Sequence, residues 1–230
     1  MEKNDKKTIV FGGCGGMYNY YLGVASVLQK NFDLKDIVFS GSSAGCFPAL
    51  LCALDIDIED KFYEWNLPFL SEINSRKLGP IYHWNETVRK TTLDNMQEND
   101  YQKANGKLFC SLTQVPSFKN EIVGNWKSND DLLDGVMSSA FIPIFSKFKM
   151  CHKFRDKYYL DGSLTNSHPL PFGNDSSHFI VKRDRWRENK NSWLWLWSDE
   201  EWVTKLFEWG KEDATDNLEE ISDFLIEDSL

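Results

Sequence analysis

With 230 residues, 41% of them hydrophobic and 27% charged, the chain has the length and composition of one globular domain with an appendage, neither collagen-like nor disordered. A net charge of −9 argues against a partner held mainly through its phosphates, so nucleic acid is not expected as a substrate. Twelve acidic against two basic side chains fall in Ser198–Leu230, so the negative charge sits on a tail and the body before it is close to neutral.

The first residues, Met1–Lys7, are polar and lead straight into a β-branched and aromatic run, Thr8–Phe11, so no signal peptide is expected. A glycine-rich turn follows, then Met17–Lys30 with apolar residues at helical spacing. Asp36–Phe39 reads as a second strand, Ser40–Gly45 as a second small-residue turn, and Cys46–Leu54 as a buried helix. Two strand–turn–helix units in succession predict a parallel α/β sheet. The apolar run at Cys46–Leu54 has nine residues, against about 20 for a membrane-spanning helix, so no transmembrane segment is expected.

Residues 57–105 contain short amphipathic segments without a clear strand and read as a helical insertion or cap. Strands return at Lys107–Val115 and Glu121–Asn125, and Asn129-Asp130-Asp131 suits the start of a helix over Leu132–Ala140 that Pro143 ends. Tyr158–Leu160 and His178–Lys182 read as the last strands. The five cysteines, Cys14, Cys46, Cys52, Cys110 and Cys151, are odd in number and form no C-x-x-C pair. That favours reduced thiols in a cytoplasmic setting over a disulfide framework or a zinc site.

Two turns carry chemistry. Gly41-Ser42-Ser43-Ala44-Gly45 is G-x-S-x-G between a predicted strand and a predicted helix. A serine there sits on a sharp, strained turn with its oxygen exposed at the carboxyl end of the sheet, and small neighbours at Gly41 and Gly45 are needed sterically. A plain glycine-rich strand-to-helix turn is the alternative. The earlier turn, Gly12-Gly13-Cys14-Gly15-Gly16, is not a dinucleotide fingerprint, because Tyr18 stands where the third glycine belongs, and no Gly-Lys-Ser/Thr follows to make a phosphate loop. What remains is flexible backbone at a helix N-terminus, whose N–H groups can converge on a negative oxygen as an oxyanion hole. For a base, His83, His152, His168 and His178 lie in no triad-like pattern. Asp161, followed by Gly162 at the end of a strand, is the better candidate.

At these residues the chain resembles the patatin-like phospholipase family, and within it the neutral-lipid branch of adipose triglyceride lipase and adiponutrin. The resemblance rests on Gly13-Cys14-Gly15 with Tyr21-Leu22-Gly23-Val24-Ala25-Ser26, the Gly41–Gly45 elbow, Ser138-Ser139-Ala140-Phe141-Ile142-Pro143, and Asp161-Gly162-Ser163 followed by Pro169. It implies a patatin-like acyl hydrolase domain over residues 8–182, with a three-layer α/β/α fold and a mainly parallel central sheet. It implies a Ser–Asp dyad in place of a triad: Ser43 as nucleophile, Asp161 as base, Gly162 as support, and the amides around Gly13, Cys14, Gly15 and Gly16 as the oxyanion hole. No metal and no cofactor is required. The expected activity is hydrolysis of fatty-acyl esters of phospholipids or acylglycerols; a transacylase, or a non-catalytic lipid-binding protein that keeps the fold, is the alternative. Met17 and Tyr18 replace the basic residue and glycine that many patatins have after the glycine run. Ser163 replaces a second glycine after the aspartate, and His168 an aliphatic before Pro169.

The stretch 193–230 reads as a Trp-rich, acidic helical extension. Trp193, Trp195 and Trp197 alternate, and Trp202, Leu206, Phe207 and Trp209 recur at helical spacing. Such rings can seat a protein peripherally on a membrane or lipid droplet, or pack on the α/β body. Asp199, Glu200 and Glu201 among them favour packing. From Gly210 on, Ala214, Leu218, Ile221 and Leu225 suggest a solvated terminal helix.

Overall fold

The computed structural model describes residues 6–143, 149–174, 177–188 and 199–226. Trp193, Trp195 and Trp197 lie outside the described residues. Strand β1 (Thr8–Phe11) is buried along its whole length, as a strand covered on both faces must be. It pairs in parallel with β2 (Val38–Ser42) on one side and with β7 (His178–Val181) on the other. β2 pairs in parallel with β3 (Leu108–Val115). Three further strands are antiparallel: β4 (Lys119–Val123) and β6 (Lys157–Leu160) on β3, and β5 (His152–Phe154) on β6. The strand order is β5-β6-β3-β2-β1-β7, with β4 also on β3, and helices flank the sheet in the expected α/β arrangement.

Register places the two glycine turns. Phe11 lies opposite Gly41, so the loop after β1 and the turn after β2 leave the sheet side by side at its carboxyl edge. Ser42 lies opposite Ser111 of β3, and β6 ends at Leu160 opposite Thr113, which brings Asp161 to the level at which β2 stops. From these turns start α1 (Tyr18–Asn31) and α2 (Cys46–Ala53). The second strand runs three residues further than the sequence suggests, because Ser40, Gly41 and Ser42 continue its ladder before the chain turns.

The segment expected to be a helical cap is one: α3 (Ile58–Lys61), a π-helical turn over Phe62–Asn66, α4 (Leu67–Ser75), α5 (Pro80–Asp94) and α6 (Asp100–Ala104). Helix α7 (Asn129–Ser139) is capped one residue earlier than expected: Ser128 Oγ accepts the Asp131 N–H at 3.1 Å, a bond of the kind worth about 1 kcal/mol.

The C-terminal helix differs most from its expectation. The helix expected at Trp202–Trp209 does not stop at Gly210: it runs from Glu200 to Asp216 as α8 under an Asp199 cap and is followed after Asn217 by α9 (Leu218–Ile226). It packs on the body as favoured for Trp202–Trp209, and the packing extends past Gly210, where a solvated helix is expected. Its face of Val203, Leu206, Phe207 and Ala214 is buried, and Phe207 stacks on Phe62 of the cap at 3.8 Å. Gly23 of α1 and Gly210 of α8 let the two backbones touch: a β-carbon at Gly23 would strike the Phe207 carbonyl, and one at Gly210 the Tyr20 carbonyl. Tyr20 Oη donates to Asp213 at 2.8 Å, and Arg187 pairs with the same carboxylate at 2.7 Å. Trp202 and Trp209 are partly buried against the core and meet edge to face at 5.6 Å. Apart from Asp213, the acids of α8 thus lie outside the buried face that belongs to the core.

Candidate active site

The elbow is built by exclusion of side chains. A β-carbon at Gly45 would enter the carbonyls of Phe11 and Gly12, and one at Gly41 would come within 2.7 Å of the Cys46 α-carbon. With both flanks bare, Ser43 turns at φ 55°, a left-handed conformation that a serine adopts only when its surroundings impose it. Its N–H donates to Ser139 Oγ at 3.1 Å, and Ser139 in turn donates to the Ser111 carbonyl at 2.6 Å. Ser139 therefore ties the elbow to β3. The sequence offered Ser139 only as part of a motif, because a buried small hydroxyl leaves no trace in spacing.

Asp161 is held by its backbone as well as by its carboxylate. Its N–H donates to the Phe141 carbonyl at 3.0 Å, and its own carbonyl accepts from Thr113 Oγ1 at 2.8 Å. Oδ1 accepts the Ser163 N–H at 2.9 Å, which leaves Oδ2 to accept from Ser43 Oγ at 2.5 Å. A β-carbon on Gly162 would run into the Ser111 carbonyl, so the glycine after the aspartate is a packing requirement. Both side chains are buried, Ser43 to 7% exposure and Asp161 to 9%. Burial pushes the Asp161 carboxyl above the usual aspartate value, and hydrogen bonds from Ser43 and Ser163 only partly offset it. A buried carboxylate of raised basicity beside a serine hydroxyl is equipped to take that hydroxyl's proton.

No histidine joins the pair among the described residues. The His168 ring packs on the glycine loop, where a β-carbon at Gly12 would come within 2.8 Å of it, and burial, with Lys182 and Arg183 nearby, pushes its pKa below the usual histidine value. The Cys14 thiol is buried and pushed up by desolvation, so it is not a competing nucleophile.

The glycine loop lies against the elbow, and its amides are not equivalent. Gly12 N–H donates to the Val181 carbonyl at 3.3 Å, and Gly13 N–H is shared by the Ser167 carbonyl and hydroxyl at 3.2 and 3.3 Å. Gly13 is expected to be one of four donors, but its amide is engaged, which leaves those of Cys14, Gly15 and Gly16. Gly15 sits at φ 53°, where a glycine is at ease.

An apolar cavity of about 90 Å³ lies beside the two turns, lined by Tyr18 and Leu22 of α1, Phe47 and Leu50 of α2, Phe62 of the π-helical turn and Trp84 of α5. Both walls begin at the site, since α1 starts where the glycine loop ends and α2 where the elbow ends. Among the described residues, no helix is long and apolar enough to cross a membrane.

A family model described as patatin-like phospholipase matches residues 9–172. The chain is 29% identical over 171 residues to 1-acylglycerol-3-phosphate O-acyltransferase Pnpla3 of Mus musculus, covering 71% of this chain and 40% of that protein. It is 30% identical over 178 residues to an omega-hydroxyceramide transacylase of Mus musculus, covering 74% and 29%. It is 28% identical over 170 residues to patatin-like phospholipase domain-containing protein 4 of Homo sapiens, covering 71% and 67%. The chain thus spans well under half the length of the first two of these relatives.

Proposed function

The chain belongs to the patatin-like phospholipase family, and from that premise we propose that it is a serine acyl hydrolase that cleaves fatty-acyl esters of lipids with a Ser43–Asp161 dyad. The observation that carries the reading is the 2.5 Å hydrogen bond from Ser43 Oγ to Asp161 Oδ2, made on a strained turn and in a buried setting. Ser43 Oγ attacks the ester carbonyl as its proton passes to Asp161. The resulting oxyanion is received by the amides of Cys14, Gly15 and Gly16. Collapse of the tetrahedral intermediate breaks the ester C–O bond, and Asp161 returns the proton to the departing alcohol. Water, deprotonated by Asp161, then attacks the acyl-enzyme; the bond to Ser43 Oγ breaks as Asp161 returns the proton to that oxygen, which releases the fatty acid and restores the dyad.

The lipid part of the reading is supported by the apolar cavity along α1 and α2, which suits an acyl chain better than a polar substituent. Transfer of the acyl group to an alcohol in place of water is the second reading, favoured by the acyltransferase and transacylase names among the relatives. Peripheral seating on a membrane or droplet is a further part of the proposal.

The test is fatty-acid release from phosphatidylcholine vesicles, a triacylglycerol emulsion and a monomeric soluble ester, with wild type beside Ser43→Ala. The proposal expects release from at least one lipid form, reduced by roughly 10⁴-fold or more in the variant at unchanged fold. A small effect of Ser43→Ala refutes the mechanism. Acyl transfer to added monoacylglycerol that exceeds hydrolysis selects the second reading.

A further inference from the structure

A loop with four glycines in five residues cannot hold its own shape, since no side chain locks it and each glycine has a large conformational entropy to lose. Its donors are useful only if they are held in place before the charge develops. The front of the loop is pinned by Val181 and Ser167, as described above. The back is pinned differently. Met17 N–H closes onto the Cys14 carbonyl at 3.1 Å, and Asn19 Nδ2 donates to the Gly16 carbonyl at 3.1 Å. Asn19 Oδ1 accepts from Asn66 Nδ2 at 2.7 Å, and Asn66 Oδ1 accepts from Tyr18 Oη at 2.7 Å.

The direction of this chain is forced from one end. A carbonyl only accepts, so Asn19 must turn its amide nitrogen to Gly16; that leaves its oxygen for Asn66, which must then offer nitrogen and keep its own oxygen for the Tyr18 hydroxyl. Tyr18 and Asn19 are buried to 4% and 3% exposure, so water is a poor substitute for either partner. Asn66 comes from outside the catalytic body. It is the last residue of the π-helical turn, where Leu67 N–H reaches back five residues to the Phe62 carbonyl and Pro68 has no N–H to offer. Single π-helical turns occur mostly where a side chain must be placed against the regular helical pattern.

We propose that Asn19 and Asn66 are positioning residues that fix the back of the glycine loop, so that the helical cap and not the loop itself sets where the Cys14–Gly16 amides stand. The inference rests on the reading of Ser43 as nucleophile. Tyr18 and Asn66 also border the apolar cavity, so the residues that hold the loop stand where an acyl chain would lodge.

The test uses Asn19→Leu, Asn66→Asp and Tyr18→Phe in the full chain. Hydrogen exchange is followed by mass spectrometry over Gly12–Tyr18, with α8 as the reference, and kcat and KM are measured on p-nitrophenyl butyrate. Asp at position 66 can still accept from Tyr18 but has no N–H for Asn19, so it breaks the chain at one link. Asn19→Leu and Asn66→Asp should speed exchange in the loop alone and lower kcat by about 10- to 100-fold with little change in KM. Tyr18→Phe keeps the Asn66–Asn19–Gly16 links and should do less on both counts. Loop exchange equal to wild type in folded Asn66→Asp, or a kcat loss matched by Tyr18→Phe and accompanied by general opening of α8, overturns the proposal. Should wild type hydrolyse neither this ester nor any of the lipid forms named above, the reading of Ser43 falls, and loop exchange alone still decides the positioning claim.

Discussion

The two glycine turns leave the sheet side by side, yet they are made rigid in opposite ways. The elbow is locked by its own backbone: Gly41 and Gly45 are bare because carbonyls and Cys46 occupy the space, and Ser43 is left in one left-handed conformation. The glycine loop is locked by others, through Val181 and Ser167 in front and the Asn19–Asn66 pair behind. A nucleophile must sit at one point relative to one base, which a steric turn secures. Oxyanion donors must stay bare backbone to let a substrate oxygen approach, so their rigidity has to be imported.

The largest expected effect sharpens the elbow's side of this comparison. Asp161→Asn keeps the Ser163 and Ser43 contacts in shape but removes the base, and kcat should fall by roughly 10³- to 10⁴-fold. The same change should leave the melting temperature at neutral pH unchanged or higher. The folded-state pKa of Asp161 is raised, so the stability linked to its protonated form is complete below the ordinary aspartate value and is lost as pH rises through the folded value. At neutral pH the ionised, desolvated carboxylate therefore costs stability, which asparagine does not. In wild type, kcat/KM should fall on the acid side with a midpoint above that of an exposed aspartate, because the base must be ionised. A melting temperature well below wild type for Asp161→Asn would show that the carboxylate is a structural anchor instead.

Next in size is Gly45→Ala. The methyl would meet the carbonyls of Phe11 and Gly12, which belong to a central strand and its first loop residue, so neither can move freely. A loss of about 2–4 kcal/mol is expected in chemical denaturation. A variant as stable as wild type would break the claim that the elbow is sterically locked. The smallest effect belongs to the loop. Ser167→Ala removes one of two acceptors for the Gly13 N–H and leaves the carbonyl in place, so stability should change by no more than about 0.5 kcal/mol. A tenfold loss of kcat at that stability would show that the front tether matters as much as the back.

The same contrast explains what could be read from the sequence. G-x-S-x-G is legible because its physics is local: small residues two positions either side of the serine are what the turn needs. The Asp-Gly after β6 is legible as a turn, but its meeting with Ser43 across 118 positions came from the family resemblance and not from spacing. Ser139, Ser167, Asn19 and Asn66 are not legible as site residues, since small polar residues that act through single hydrogen bonds leave no periodic signature. Strand β5 was missed because it has only three residues, with Lys153 between His152 and Phe154. The tail was half legible. Trp202, Leu206, Phe207 and Trp209 showed a helix, but that its glycine, Gly210, is a docking point on α1 depends on Gly23, far away in sequence.

The central claim is that Ser43 is an activated nucleophile. Its most direct test is reaction of the folded protein with a fluorophosphonate probe, with the adduct located by mass spectrometry in wild type, Ser43→Ala and Asp161→Asn. The account predicts one adduct, on Ser43, absent from the alanine variant and formed far more slowly in the asparagine variant. A folded wild type that takes up no probe, or takes it up equally well without Asp161, would contradict it.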